Sequence, residues 1–448
     1  MTAPRTKVDL CGLCISYRYV GAMGLSREIV EEILRFLHED IRALKACSLT
    51  CRALFSAARR SIHTKVRLAT WKVYRPYGLV DRIAAKVLRG RRIHEAHMRY
   101  LSMAGKHGLL SYARELIINV GPSLAPETLE VYLPEFRSFS QVQALRISHF
   151  DLKNFLPLFE RCFAQFVPTL RSLHLPDVVG GTHETLEFVC KFPRLDDLSL
   201  TLSSSYCVDV PPRLSTEHSP PLKGKLILRG WGSTPARFLL GIPGGLHFRS
   251  IDAGGVDKAE LDGILVACSA TLEEFSVYPR SGKFTQHNHP PSESYCVLLN
   301  DFSRSLVLDT ADLSRNSALA RFELRVDPDE LNLIPSFLHE TLSMISSTAF
   351  SEFTLKLEGF PVPYRFLYGL SIRAVWGDEW GMIDKDLNDM VRATGRDIKF
   401  VVQVGANGGV WGYELQGFVG SMFPLMNARG LVRVLAPSSL REGERFIW

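Results

Sequence analysis

Leu170-Arg-Ser-Leu173-His-Leu175 and, a little further on, Leu195-Asp-Asp-Leu198-Ser-Leu200 carry one pattern, apolar-x-x-apolar-x-apolar. The same six-residue phrase stands at Ala113–Ile118, Val142–Ile147, Phe248–Ala253, Leu272–Val277, Leu319–Leu324 and Phe350–Leu355, and in shorter form at Leu226-Ile-Leu228. Its central apolar residues are 116, 145, 173, 198, 226, 251, 275, 322 and 353, so the successive gaps are 29, 28, 25, 28, 25, 24, 47 and 31. In an extended chain alternate residues share a face, so the fourth and sixth positions of each phrase point into one core. Each phrase therefore predicts a short strand of a repeating unit.

Amphipathic stretches lie between the phrases. Phe155, Leu158, Phe159, Cys162, Phe163 and Phe166 fall at helical spacing within Asn154–Val167, and Glu184–Cys190, Lys258–Cys268 and Leu333–Ile345 read likewise. A strand that returns through a helix suits parallel neighbours. One such unit cannot bury its apolar face alone, whereas stacked units share a continuous core. All gaps but one fall at or near the 20–29-residue period of leucine-rich repeats, and the gap of 47 is close to two periods. The array resembles that family in a degenerate form. The family's asparagine after the strand is missing, with Val178 in that place in the third copy, so irregular loops and uneven curvature are expected. Two long loops, Ser203–Leu222 and Tyr278–Ser294, interrupt the array and are candidate recognition elements. Towards the C-terminus the pattern predicts a helix over Met382–Ala393 and a strand over Lys399–Val404. A second helix over Phe418–Asn427 stops at Gly430, and a last strand spans Leu431–Leu435. Trp376, Trp380 and Trp411 read as packing residues rather than a ligand cage.

The N-terminal part has another character. In LSREIVEEILRFLHED, Ser26 can cap a helix, Glu28 suits the positive end of the helix dipole, and Leu25 can close over Val30. The apolar residues form two stripes, Ile29–Ile33–Phe36 and Val30–Leu34–Leu37. Either both stripes are buried within the chain, or one docks at home and the other is open to a partner. Next, Leu44, Cys47, Cys51, Leu54, Phe55 and Ala58 fall on one helical face, with no proline between them, before a strand-like exit at Val66-Arg67-Leu68.

Leu25-Ser26-x-Glu28-Ile29, then Ile33 and Leu37, then Ala46-Cys47-Ser48-Leu49-Thr50-Cys51-Arg52, resemble an F-box of the fungal F-box-like kind, over roughly a tenth of the chain. Two positions depart from the family pattern: Ser26 stands where proline is usual, and Leu54 where tryptophan is usual. The resemblance implies three short helices that bind a Skp-type adaptor, and through it a cullin, through Leu25, Ser26, Glu28, Ile29, Ile33, Leu37, Leu44, Cys51 and Leu54. The expected architecture is α/β: a lead-in over 1–22, an F-box-like helical domain over 23–68, and a leucine-rich-repeat-like strand–helix solenoid with a C-terminal cap over 69–448. The function implied is that of a substrate-recognition adaptor of an SCF-type ubiquitin ligase. The alternative is a repeat scaffold that engages no ligase.

Composition bounds the other possibilities. The 448 residues are 46% apolar and 22% charged, as in ordinary globular proteins. No apolar run approaches the roughly 18 residues of a membrane span, so a soluble protein of the cytoplasm and/or nucleus is expected. Nine cysteines, an odd and scattered set, fit a reducing compartment, and the lone Cys11-x-x-Cys14 lacks the second pair of a zinc site. No metal or cofactor is expected, and no enzymatic activity: His94 and His97 lack a companion carboxylate motif, His287 and His289 lie in a proline-rich loop, and Gly405–Gly412 lacks phosphate-loop spacing and reads as a hairpin turn. The net charge of +6 is uneven: residues 41–115 hold 17 Lys or Arg against Asp81, Glu95 and Glu115, leaving −8 for the rest. That block reads as a solvated face, a surface for an acidic protein, or, least of the three because base-stacking aromatics are lacking, a nucleic-acid site.

Overall fold

The computed structural model describes residues 29, 32, 34, 37, 40–50, 52–70, 99–120, 136–148, 150–152, 163–176, 178–179, 182–201, 220–234, 237–256, 258–278, 312–326, 334–357, 379–404 and 419–435. The chain divides into two compact units, Met1–Phe150 with Pro157–Leu170, and Asp151–Leu156 with Arg171–Trp448.

The first unit opens with two helices, α1 (Ile41–Thr50) and α2 (Arg52–His63), followed by strands β1 (Lys65–Thr70), β2 (Glu115–Val120) and β3 (Ala144–Ser148). The unbroken apolar face from Leu44 to Ala58 suggests one helix, but the structure has two. Ser48 lies one turn before the break and its hydroxyl donates to the Lys45 carbonyl at 2.7 Å. A Ser-Leu-Thr-Cys run is weakly helical, because such side chains compete for backbone groups and β-branching restricts rotamers. The start of α1 is fixed by Asp40, whose Oδ1 accepts the Ala43 N–H at 2.9 Å. Leu34, Leu44, Cys47 and Ala58 close a small core, with Leu37 and Ile62 packed against it. Beyond the helices, β1, β2 and β3 pair in parallel, with Val66 opposite Leu116 and Leu116 opposite Leu145. Phe136, Phe163 and Phe166 form an aromatic cluster with centroid separations of 5.4 and 5.5 Å. Of the helix expected over Asn154–Val167, the described portion is a short 3-10 turn, Ala164–Phe166; residues 153–162 lie outside the described set.

The second unit carries nine further strands in chain order: β4 (Ser172–Leu175), β5 (Asp197–Thr201), β6 (Lys225–Thr234), β7 (Ser250–Val256), β8 (Glu274–Tyr278), β9 (Arg321–Val326), β10 (Glu352–Leu357), β11 (Lys399–Val404) and β12 (Val432–Leu435). Every consecutive pair is parallel. The register lines up Leu173, Leu198, Leu226, Ile251, Phe275, Phe322, Phe353, Phe400 and Val432, so within each unit the expected central residues share one row. All are buried, as the two-residue alternation requires. From β8 onward the row is aromatic. Phe275, Phe322, Phe353 and Phe400 stack at 5.7, 5.6 and 5.3 Å between ring centroids.

Intervening helices α3 (Thr182–Cys190), α4 (Lys258–Ala267), α5 (Ile334–Met344), α6 (Trp380–Thr394) and α7 (Pro424–Ala428) complete the unit. The gap of 47 holds no further strand of this row, since β8 pairs directly with β9. One expectation is modified. The helix expected over Phe418–Asn427 is broken at Phe423 (φ −117, ψ 61), because Pro424 has no N–H to donate and disfavours helical backbone before it. Both carboxylate oxygens of buried Asp384 on α6 then accept the first N–H groups of α7, from Leu425 at 2.8 Å and Met426 at 2.9 Å. Trp380 is a packing residue, 1% exposed and edge-on to Phe423 at 5.9 Å. Trp376, Trp411 and Gly405–Gly412 lie outside the described residues.

The strands enter through a repeated bond. In each case one carbonyl accepts two successive N–H groups of the next repeat: Thr64 from Arg114 and Glu115, Arg171 from Asp196 and Asp197, Arg249 from Glu273 and Glu274, and Ala320 from Ser351 and Glu352, all at 2.8–3.2 Å. Hydroxyls reinforce the ladder: Thr169 Oγ1 donates to the Val142 carbonyl at 2.7 Å and Thr271 Oγ1 to that of Phe248 at 3.2 Å. Gly224 allows a close approach here, since a Cβ at that position would lie 2.0 Å from Asp197 Oδ1, the atom that accepts the Lys225 N–H.

Candidate functional site

Two surfaces are candidates for a functional site. The first is the N-terminal helix pair. Of the residues expected to meet an adaptor, Leu44 is wholly buried in the local core and Leu37 packs against that core, so both hold the helices together. Ile29 is 47% exposed, on the stripe opposite Leu34. Leu25, Ser26, Glu28, Ile33 and Cys51 lie outside the described residues, and Leu54 lies in α2 with its side chain outside them.

Leu49 lies outside the contact set that the resemblance implies. Its side chain is 85% exposed, the most of any large apolar residue among the described residues. The sequence carries the signal: Leu49 falls off the Leu44–Cys47 face of α1, four residues from Lys45 and three from Ala46. Arg42 and Lys45 are exposed too. With Leu49 at i, i+3 and i+7 spacing, they make the outer stripe of α1 cationic with an apolar end.

The second surface is the strand face turned away from the central row. In the second unit it holds an ionic network around a buried carboxylate. Asp252 on β7 is 4% exposed. Its Oδ2 meets Arg229 Nη2 at 2.9 Å and Arg325 Nη2 at 3.3 Å. Arg229 Nη1 also donates to the Asp252 carbonyl at 3.1 Å. Arg325 Nε donates to Glu323 Oε1, which accepts the Ser276 hydroxyl at 3.1 Å as well. Arg229 reaches across Gly254, whose missing side chain leaves room: a Cβ there would meet Arg229 Cδ at 3.5 Å and Tyr278 Cβ at 3.4 Å. Each cation in this network is thus tied to a carboxylate, which is how buried charge is tolerated.

The thiols of Cys190 and Cys268 are pushed up to about 11 by burial, which keeps them protonated and poorly nucleophilic. Among the described residues no group of His, Cys, Asp or Glu is placed to hold a metal ion, and no helix is long and apolar enough to cross a membrane. Cys11, Cys14, His94, His97, His287, His289 and most of both long loops lie outside those residues. No family model matches the chain, and a search of curated proteins finds no match.

Proposed function

We propose that the chain is a substrate-recognition adaptor of an SCF-type ubiquitin ligase. An F-box-like helical segment binds a Skp-type adaptor and, through it, a cullin, while a leucine-rich-repeat-like solenoid holds a protein target. The observation that carries this reading is the division of labour in α1 and its surroundings. Leu34, Leu44 and Cys47 are consumed in a local core, while Ile29 and Leu49 present apolar surface beside exposed Arg42 and Lys45. An exposed apolar side chain among cations suits an acidic protein partner with an apolar groove. The fungal-type F-box resemblance of Leu25–Arg52 supplies the identity of that partner. In this reading the chain does no chemistry; it raises the local concentration of target lysines near a ubiquitin-conjugating enzyme. A reducing compartment, cytoplasm and/or nucleus, follows from the same assignment.

A second reading is supported by the junction of α2 and β1. His63 ends α2 and Lys65 begins β1 with one residue between them. His63 Nδ1 lies 2.6 Å from the Tyr100 hydroxyl, and the two rings stack. Helices tied so closely to the strands would also suit a mere end-cap of a repeat scaffold that engages no ligase.

A pull-down with a purified Skp-type adaptor separates the two. Wild type is expected to bind. Leu25→Asp with Ile29→Asp is expected to abolish binding, and Leu49→Asp to weaken it at least tenfold, with circular dichroism unchanged. No binding by wild type, or full binding by the folded double variant, refutes the adaptor reading and leaves the scaffold.

A further inference from the structure

On the outward strand face of β1–β3 two arginines carry charge with no counter-charge among the described residues, unlike the cations around Asp252. On β1, β2 and β3 the outward row in register is Arg67, Ile117 and Arg146. Both arginines are exposed, and Ile117 between them is 6% exposed. Two strand spacings set the arginine backbones about 10 Å apart. Neither arginine has an acidic partner among the described residues. The row before them is Lys65, Glu115 and Ala144, in which Lys65 and Glu115 satisfy one another at 2.7 Å. Six outward positions therefore bring three cations and one carboxylate to a small face, and among the described residues the two guanidinium groups remain uncommitted.

We propose that this face of β1–β3 is a docking site for an acidic polypeptide segment, with Arg67 and Arg146 each engaging a carboxylate. The proposal deepens the target-holding role proposed above and concerns strands rather than the helices that would meet the adaptor. Charge selects the occupant. Guanidinium groups present planar donor pairs that match carboxylates, and an exposed unpaired pair on a rigid sheet loses little entropy on binding. Alternate residues of an extended chain lie about 7 Å apart on one side. Acidic residues two or three apart therefore fall within reach of both long arginine side chains. Single-stranded nucleic acid is the other polyanion, but the outward positions of these three strands, Lys65, Arg67, Ala69, Glu115, Ile117, Asn119, Ala144, Arg146 and Ser148, include no aromatic on which a base could stack.

The test uses the full chain and fluorescence polarisation of a labelled twelve-residue peptide of alternating Glu and Ser. Binding is expected to weaken at least tenfold in Arg67→Glu with Arg146→Glu, and severalfold in the milder Arg67→Gln with Arg146→Gln. The control is Arg249→Glu with Arg321→Glu, which makes the same charge change at exposed cations of the second unit that already face Glu273 and Glu274. It is expected to bind within twofold of wild type. Equal loss in variant and control would reduce the effect to net charge and overturn the site, as would no loss in either arginine pair. Tighter binding of an oligodeoxynucleotide of equal length through the same two arginines would overturn the choice of partner. Adaptor pull-down run on the same variants keeps the two proposals apart. The arginine variants are expected to retain the adaptor, and a wild type that binds peptide but no adaptor sinks the ligase assignment alone.

Discussion

The two units handle ionisable groups on their strands in opposite ways. On β6–β9 charge is buried and neutralised: Asp252, 4% exposed, serves Arg229 and Arg325 together, and Glu323 serves Arg325 and Ser276. On β1–β3 charge is left in solvent, with Arg67 and Arg146 exposed around Ile117. Where the first unit does bury a titratable pair, His63 and Tyr100, it keeps them neutral. Burial, helped by Arg59, lowers the His63 pKa, and burial pushes Tyr100 up to about 12. A buried network contributes to stability only while it is complete, whereas exposed cations contribute little to the fold and are free to act on a partner. The contrast separates a rigid part of the strand face from a part suited to recognition.

The largest effect should come from breaking the network at its hub. Asp252→Ala leaves Arg229 without its carboxylate and Arg325 with Glu323 alone. Full burial would set that loss at about 3–5 kcal/mol, and the partial exposure of both arginines reduces it to about 2–3 kcal/mol. Urea unfolding followed by tryptophan fluorescence measures it. A loss below about 0.5 kcal/mol, typical of surface substitutions, would mean that the pairing is as dispensable as a surface ion pair.

Gly254→Val probes the same network from its floor. Its Cβ would sit in ordinary contact with Arg229 Cδ and Tyr278 Cβ, and the added methyls would displace the guanidinium from Asp252, at about 1–2 kcal/mol. If displacement is the cause, the cost should largely vanish in an Arg229→Ala background. A double-mutant cycle that returns simple additivity would contradict that mechanism.

How much of this was legible in the sequence differs by level. The central row was readable because burial of alternate residues repeats at a steady spacing, and Leu116, Leu173, Phe275 and Phe353 all lie where the phrases put them. The same arithmetic could have placed the network. Adding one to the central positions 251 and 322 gives Asp252 and Glu323, and adding three to 226 and 322 gives Arg229 and Arg325. Pattern alone marks those positions as outward and leaves their burial open, since that depends on Arg229 folding over a glycine from the next strand. The break between α1 and α2 was hidden for the opposite reason: helical periodicity continues through Thr50 and Cys51, and the competing hydroxyl bond of Ser48 is a local effect with no period. Leu49 is legible only from its place off the Leu44–Cys47 face, since composition does not separate an exposed leucine from a buried one.

Acidification should act on the first unit through His63. Its folded-state pKa lies below the unfolded value of 6.5, so below that value the unfolded chain takes up the proton more readily than the fold does. The contribution of neutral His63 is therefore fully present above pH 6.5 and is lost as pH falls toward the folded value. Hydrogen exchange of α2 amides is expected to speed up between pH 7 and pH 5, after correction for intrinsic rates. Tyr100→Phe removes the hydroxyl at 2.6 Å and should cost about 1 kcal/mol. His63→Gln should flatten the pH dependence, and a response that persists in that variant would place the titration elsewhere.

The smallest effect completes the contrast. Arg67→Ala with Arg146→Ala removes two exposed cations that no carboxylate holds, so stability should change by no more than about 0.5 kcal/mol. The same truncation at Arg229 and Arg325 strands Asp252, whose Oδ1 is already buried without a partner, and should cost several times as much. Raising the salt from 0.05 to 0.5 M should leave the second unit's unfolding midpoint nearly unchanged, because buried pairs are weakly screened, and should abolish peptide capture by the first. If instead the Arg67/Arg146 variant unfolded as readily as the Arg229/Arg325 variant, the exposed pair would be part of the fold's own support. Its availability to an acidic segment would then be lost as an explanation for leaving it unpaired.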